Sequence, residues 1–362
     1  LDNPAVCLYS YTGDRHFSKA LRAEVPVTYI RVRSATMKAL VTGATGFVGS
    51  NVAAALAARG DQVRVLRRST SRLDALAGLP VEYVTGDILE PDTLPAAMGG
   101  CDAVFHVAAM SQYWRSDRKT LYRVNVDGTR YVMQAALAAG VRRVVHTSSV
   151  AALGVPPRGV LADEAQVFPS EMSWFGYGHS KYLAELEVQR AVAQGLPAVI
   201  VNPAIVLGPR DLNFVSGSLI RASVKGQLRV VPPGGSNIVH VADVVAGHLA
   251  AAERGRVGER YILGGENLSH WAAAMTIAEV TGGARPRLIL PRWALPPIAA
   301  LVDAFNALNP RPPLVTGYQI RLGGEDIYVD AGKAIRELGL PQTPFRQAAA
   351  DAYAWYREQG WL

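Results

Sequence analysis

The sequence predicts an α/β fold, a doubly wound parallel sheet followed by a smaller C-terminal lobe. Three observations carry this expectation. Short apolar runs alternate with alanine-rich helical patterns from residue 38 to residue 202. The glycine pattern Gly43-Ala44-Thr45-Gly46-Phe47-Val48-Gly49 sits where the first apolar run gives way to the first helix. A tyrosine and a lysine four apart, Tyr177 and Lys181, open a later helix.

Taken in order, strands are expected at 38–42, 62–66, 81–84, 103–107, 143–147 and 198–202. Helices fall at 50–59, 126–139 and 177–194, stopped by Gly60, Gly140 and Gly195, since glycine readily takes the left-handed conformation that ends a helix. Parallel strands joined by helices cross over right-handedly, which leaves ligands at the strands' carboxyl ends. After Asn202 the rhythm breaks at Pro203, Gly208-Pro209, Pro232-Pro233 and Gly234-Gly235. It resumes over 238–249 and 260–263, and beyond 264 prolines punctuate the helices. The expected division is a dinucleotide-binding sheet domain at 37–205 and 236–264, with a substrate lobe at 206–235 and 265–362. Residues 1–36 are read as an extension outside this fold, with Met37 as the natural start. The last helix, 344–359, has the apolar spacing of a packing element.

At 362 residues and 49% hydrophobic content, the chain can build one large α/β domain and a smaller lobe. Its net charge of +7 is spread in pairs such as Arg67-Arg68 and Arg142-Arg143, without the basic run of a nucleic-acid binder. Two distant cysteines, Cys7 and Cys101, support neither a disulfide framework nor a metal site, so a reducing cytoplasm is the expected compartment. The apolar stretch 293–308 is interrupted by Pro296, Pro297, Asp303 and Asn306. It is too broken to span a membrane and is read as core or pocket wall.

A strand-to-helix turn needs a residue tolerant of positive φ, a diphosphate needs close backbone approach, and a helix N-terminus offers free N–H groups. Gly43, Gly46 and Gly49 suit these needs, and Gly43, Thr45, Gly46, Phe47, Val48 and Gly49 are the candidate cofactor contacts. About twenty residues on, where an acid would bind the adenosine ribose hydroxyls, the chain instead reads Arg67-Arg68-Ser69-Thr70. Arginine matches a 2′-phosphate, so NADP is favoured over NAD, the alternative being that these side chains point into water. Asp87, ahead of Ile88, is placed either on the adenine amino group or in a solvated loop.

Tyr177 and Lys181 share one helix face, so an ammonium would lower the phenol from its usual value near about 10 toward a useful acid/base range. Thr147-Ser148-Ser149 ends the fifth strand and offers a hydroxyl to a substrate oxygen.

These motifs, with His106-Val107-Ala108-Ala109, Asn125-Val126-Asp127-Gly128-Thr129 and Asn202-Pro203, resemble the extended short-chain dehydrogenase/reductase family from Met37 to the C-terminus. The similarity is greatest to its dihydroflavonol-reductase-like and hopanoid-associated sugar epimerase branches. The resemblance implies a Rossmann fold, Ser149 as the substrate-orienting hydroxyl ahead of Ser148, Tyr177 as general acid/base and Lys181 as its activator. It further implies that Ile88, Val107, Ala108, Ala109 and Asn202 line the cofactor, that Pro203 to Ile205 face the nicotinamide, and that Asn125 is structural. A homodimer built on helices 126–139 and 177–194 is implied as well. Dehydratases of the family place an Asp-Glu pair after the catalytic hydroxyl, where this chain has Val150-Ala151, and nucleotide-sugar enzymes often carry an Arg-x-x-Asn-x-Tyr-Gly-Pro segment that is absent here. The expected reaction is therefore NADPH-dependent reduction of an aldehyde or ketone, the alternative being an epimerase that retains its cofactor. Met110, Gln112, Tyr113, Trp114 and Trp174 bracket the substrate position, and their rings suit either a neutral apolar carbonyl compound or packing between lobes.

Overall fold

Alternation along each strand builds two cores at once. Leu40, Val104, Val144 and Ile200 point to one face of the large sheet, while their neighbours Val41, Phe105, Val145 and Val201 point to the other. Inner strands of this kind are buried on both faces and read as continuous apolar runs. The computed structural model describes residues 36–111, 118–308 and 315–362. Residues 1–35 of the expected extension over 1–36, and the candidates Gln112, Tyr113 and Trp114, lie outside the described residues.

Among the described residues, seven parallel strands form the sheet in the order β10-β6-β5-β4-β1-β2-β3. They are β1 (Lys38–Thr42), β2 (Gln62–Arg67), β3 (Val81–Thr85), β4 (Ala103–His106), β5 (Arg143–Thr147), β6 (Ala198–Pro203) and β10 (Arg260–Leu263). The chain winds outward from β1 to β3 and returns to β4 beside β1, with Thr42 opposite both Leu66 and His106. The crevice where the winding reverses opens at the carboxyl ends of β1 and β4, the usual ligand position in open α/β sheets.

Helices α1 (Phe47–Arg59) and α7 (Val241–Arg254) cover one face, and α2 (Leu94–Met98), α4 (Gly128–Ala138) and α5 (Gly176–Ala193) cover the other. Between α2 and α4 lies the short α3 (Arg118–Tyr122), joined to α4 by a π-helical turn at Arg123–Asp127. Gly60 takes the left-handed conformation at the end of α1, with φ 91°.

The sequence pattern at 238–249 combines two destinations. Helix α7 and strand β10 join the large sheet, whereas β9 (Gly235–His240) belongs to a second sheet with β7 (Ile205–Leu207), β11 (Glu266–Ser269) and β13 (Asp326–Ile327). Hydropathy marks β9 as a strand because all six residues are buried, but it carries no information on which sheet receives it. A further parallel pair joins β8 (Val230–Val231) to β12 (Leu288–Ile289). Around these strands pack α6 (Ser218–Val224), α8 (His270–Thr281), α9 (Leu295–Leu308), α10 (Gly317–Leu322), α11 (Gly332–Leu338) and α12 (Phe345–Glu358). The described residues from Thr36 onward belong to one compact unit.

The expectation that 293–308 forms core or pocket wall holds only for the inner side of α9, where Leu295 and Ala299 are buried. Its outer side is exposed. Among the described residues no helix is long and apolar enough to cross a membrane.

Candidate active site and cofactor cleft

The three glycines of the first turn each answer a different steric demand. Gly43 has φ 70°, and a Cβ there would stand 2.5 Å from the Ala108 backbone nitrogen. A Cβ on Gly49 would meet the Gly43 carbonyl oxygen at 2.3 Å, so this glycine lets α1 pack against the end of β1. Gly46 is the N-cap of α1 with extended backbone and no side-chain capping bond, leaving first-turn N–H groups for another acceptor. A cradle that any Cβ would fill, at the positive end of a helix, fits a diphosphate. Thr45, Gly46 and Val48 are half-buried around it, whereas Phe47 is buried in the core beneath α1, so only its backbone faces the cradle.

Thr45 also borders a cavity of about 400 Å³, together with Arg72, Asp74, Leu212, Asn213, Phe214, Gln359 and Trp361. At the end of β2, Arg67 is half-buried and its Nε has no partner among the described residues, an orphaned donor that suits an anionic phosphate. Arg68 is exposed beside it. Arg72, paired with Asp74 at 2.9 Å, is a third arginine at this end that the sequence reading omitted. Its distance of only five residues from Arg67 was the available signal. Asp87 accepts from the Leu89 backbone N–H at 3.0 Å, a local turn bond. Ile88 is buried where the helix α4 glycine, Gly128, makes room for it. Val107 and Ala108 are half-buried and Ala109 is exposed along the crevice after β4.

Asn125, held in the π-helical turn, fixes the next stretch of that loop. Its amide oxygen accepts from Met110 N at 2.7 Å, and its nitrogen donates to Met110 O at 3.0 Å and to Ser180 Oγ at 2.9 Å. Met110 is thereby tied to α5, directly after Tyr177's turn.

At the end of β5 the two adjacent serines take different partners. The Ser148 hydroxyl donates to the buried Glu185 carboxylate at 2.5 Å. Ser149 has extended backbone, accepts from Ala151 N at 3.2 Å, and its side chain acts on the Tyr177 phenol. Burial raises the Tyr177 phenol above its ordinary value, and the neighbouring Ser149 side chain opposes that rise. Lys181 is buried, with Nζ donating to Thr147 O at 2.8 Å. Burial lowers its ammonium to about 8, and Glu185, one turn further along α5, works against that fall. The Lys181 ammonium is thus anchored on the Thr147 carbonyl, while Ser149 opposes the effect of burial on the phenol.

Glu185 was not singled out from the sequence, although Lys181-x-x-x-Glu185 is a helix-face spacing. It also accepts from Asn202 Nδ2 at 2.6 Å and from Arg260 Nη1 at 3.2 Å. The same Asn202 amide donates to Ser149 O at 3.0 Å, joining β6 to the serine. Asn202 is thus buried beneath the site, Pro203 ends β6, and Ile205 emerges partly exposed at the start of β7.

Around Tyr177, Met172 and Phe175 are buried against Phe168, so these rings and sulfur are packing groups. Trp174 is half-exposed and meets Tyr318 of α10 edge-on at 6.0 Å. His179 Nδ1 lies 2.7 Å from Tyr122 Oη, and His240 caps α7 while facing Asp351 at 3.1 Å. Neither reaches the serine. Among the described residues no cluster of three or more metal-ligating side chains occurs.

Residues 39–264 match the model of the NAD dependent epimerase/dehydratase family. A protein of Synechocystis sp., provisionally named dihydroflavonol 4-reductase, is 41% identical over 89% of this chain and 95% of its own length. Sterol demethylase protein B of Methylococcus capsulatus is 40% identical over 90% of this chain and 100% of its own. The solved structure of gox2253 superposes with TM-score 0.80 at 41% identity, covering 90% of this chain and 100% of that one.

Proposed function

Because the chain belongs to the NAD dependent epimerase/dehydratase family, as an extended short-chain dehydrogenase/reductase enzyme using NAD or NADP, we propose that it reduces an aldehyde or ketone to an alcohol with NADPH. The observation that carries this reading is the convergence at the carboxyl end of β5 of Ser149, the Tyr177 phenol it acts on and the buried Lys181, whose ammonium is bound to the Thr147 carbonyl.

A nicotinamide dinucleotide, when bound, would supply the hydride that a carbonyl carbon takes up. Its diphosphate would be held by the cradle of Gly43, Gly46 and Gly49, and its 2′-phosphate by Arg67 and Arg68, with Arg72 nearby. Val107, Ala108 and Ala109 would flank it, and Pro203 and Ile205 would lie toward its reactive ring. Ser149 holds the substrate oxygen, and Tyr177 gives that oxygen its phenolic proton as the alcohol forms. Lys181 holds positive charge beside the phenol and would orient the nicotinamide ribose. Met110 and Trp174 border the substrate, for which a neutral and largely apolar carbonyl compound is the best match. Helices α4 and α5, packed side by side, are the surface we assign to a homodimer.

A second reading, epimerisation with a retained dinucleotide, is favoured by the C-terminal residues Gln359 and Trp361, which share a cavity wall with Thr45. A screen of NADPH oxidation across aldehydes, ketones and nucleotide sugars separates the two. Net consumption with a carbonyl compound supports reduction. Stoichiometric dinucleotide in the purified protein, with sugar epimers interconverted and no net consumption, overturns it.

A further inference from the structure

Helix α9 carries an outward stripe without a charge. Pro297, Leu301, Ala304 and Leu308 recur every three or four residues and so share one face, with Phe305 beside them. Trp293, just before the helix, is 79% exposed, and Leu301, Phe305 and Leu308 are 71%, 63% and 87% exposed. The acid of this helix, Asp303, lies off the stripe and is bound to Arg321 and to Gly317 N. Leu288 and Ile289 of β12, shortly before the helix in the chain, and Val230 of the paired β8 are exposed apolar residues as well.

Cations flank the two strands. Arg229 directly precedes β8, Arg285 and Arg287 precede β12, all three are exposed, and none of them forms an ion pair among the described residues. Glu279, whose carboxylate senses Arg285, is already taken by Arg346. Large contiguous apolar patches on soluble chains mark interaction sites. An uncharged face of tryptophan, phenylalanine and leucine beside unpaired arginines is the pattern of a helix lying in a lipid headgroup region. At 14 residues, α9 is about 21 Å long, suited to lying on a bilayer rather than crossing it.

We propose that the α9 face, with β8 and β12, docks onto an anionic lipid bilayer surface. The inference is independent of the reaction assigned above. Helix α9 packs on α10, whose Tyr318 and Leu322 pack in the cluster that includes Phe175 and Tyr177. Docking there sets the catalytic tyrosine one helix layer behind the lipid-facing surface.

The test is co-sedimentation of the full chain with phosphatidylcholine vesicles, with and without phosphatidylglycerol. The wild type pellets with the anionic vesicles. Leu301→Asp with Phe305→Asp lowers partitioning by roughly tenfold or more, because apolar side chains no longer enter the lipid. Arg285→Glu with Arg287→Glu abolishes the preference for anionic vesicles, as does high salt. Unchanged thermal midpoints exclude misfolding, and Trp293→Ser, outside the helix, repeats the test without touching α9. A wild type that stays in the supernatant, or variants that pellet equally, overturns the proposal. So does a vesicle-free dimer that these variants convert to monomer, since the face then belongs to a second copy.

Discussion

Ser148 Oγ donates to the Glu185 carboxylate at 2.5 Å inside the protein, and this bond sorts two neighbouring hydroxyls into different roles. With Ser148 committed inward, Ser149 is left to meet Tyr177 in the crevice. Ser149→Ala should lower kcat/KM by about 100-fold through loss of the group that holds the substrate oxygen. Ser148→Ala should instead cost about 1–3 kcal/mol of stability, because a buried carboxylate loses a donor. Steady-state kinetics and urea denaturation on both variants check the assignment, and the reverse pattern would transfer the catalytic role to Ser148.

Tyr177→Phe removes the transferable proton and leaves the ring. Dinucleotide binding, followed by fluorescence or calorimetry, should persist while turnover drops by about 100- to 10,000-fold. Undiminished turnover would exclude the phenol from the reaction.

Cofactor choice should follow the arginines after β2. Replacing Arg68 by Asp places a carboxylate where a 2′-phosphate would lie, so the ratio of kcat/KM for NADPH over NADH should fall by at least about tenfold. Arg67→Leu should act the same way while removing the orphaned Nε. A ratio that does not move would contradict the phosphate role.

Acid should destabilise the fold before its carboxylates titrate. Burial pushes His106 down to about 3 and His248 down to about 4, and it also lowers His146, whose two ring nitrogens have no partner among the described residues. The unfolded chain takes up these protons near pH 6.5, so stability is full above that value and drains as pH falls toward the folded values. Each such histidine contributes a loss of about 1.4 kcal/mol per pH unit in that window. The urea midpoint should therefore drop clearly between about pH 7.5 and about pH 5.5. A flat midpoint would mean that these imidazoles find acceptors or water in solution.

Much of this molecule could be read before its coordinates. The strands from β1 to β6 and the helix stops at Gly60, Gly140 and Gly195 follow from apolar runs and glycine placement, which are local signals. Tyr177, Lys181 and Ser149 were legible because a helix-face spacing and a strand end are also local. Glu185 and Arg260 were not, since their meeting joins residues 75 positions apart and depends on β10 lying beside β6. The outward face of α9 was misjudged for a related reason. Hydrophobicity states that a residue favours burial, but not whether a partner within the same chain supplies it. The spacing of Lys181 from Tyr177 likewise carries no sign of the Thr147 carbonyl that receives its ammonium.

The large sheet closes with a strand drawn from residues 260–263, long after β6 has left the chain's growing end. During synthesis, β6 must therefore wait with one row of backbone amides and carbonyls unmatched while about 57 further residues are added. A fragment ending after β7 would keep that edge permanently open and should aggregate, even though it contains the glycine cradle, the serine, the tyrosine and the lysine.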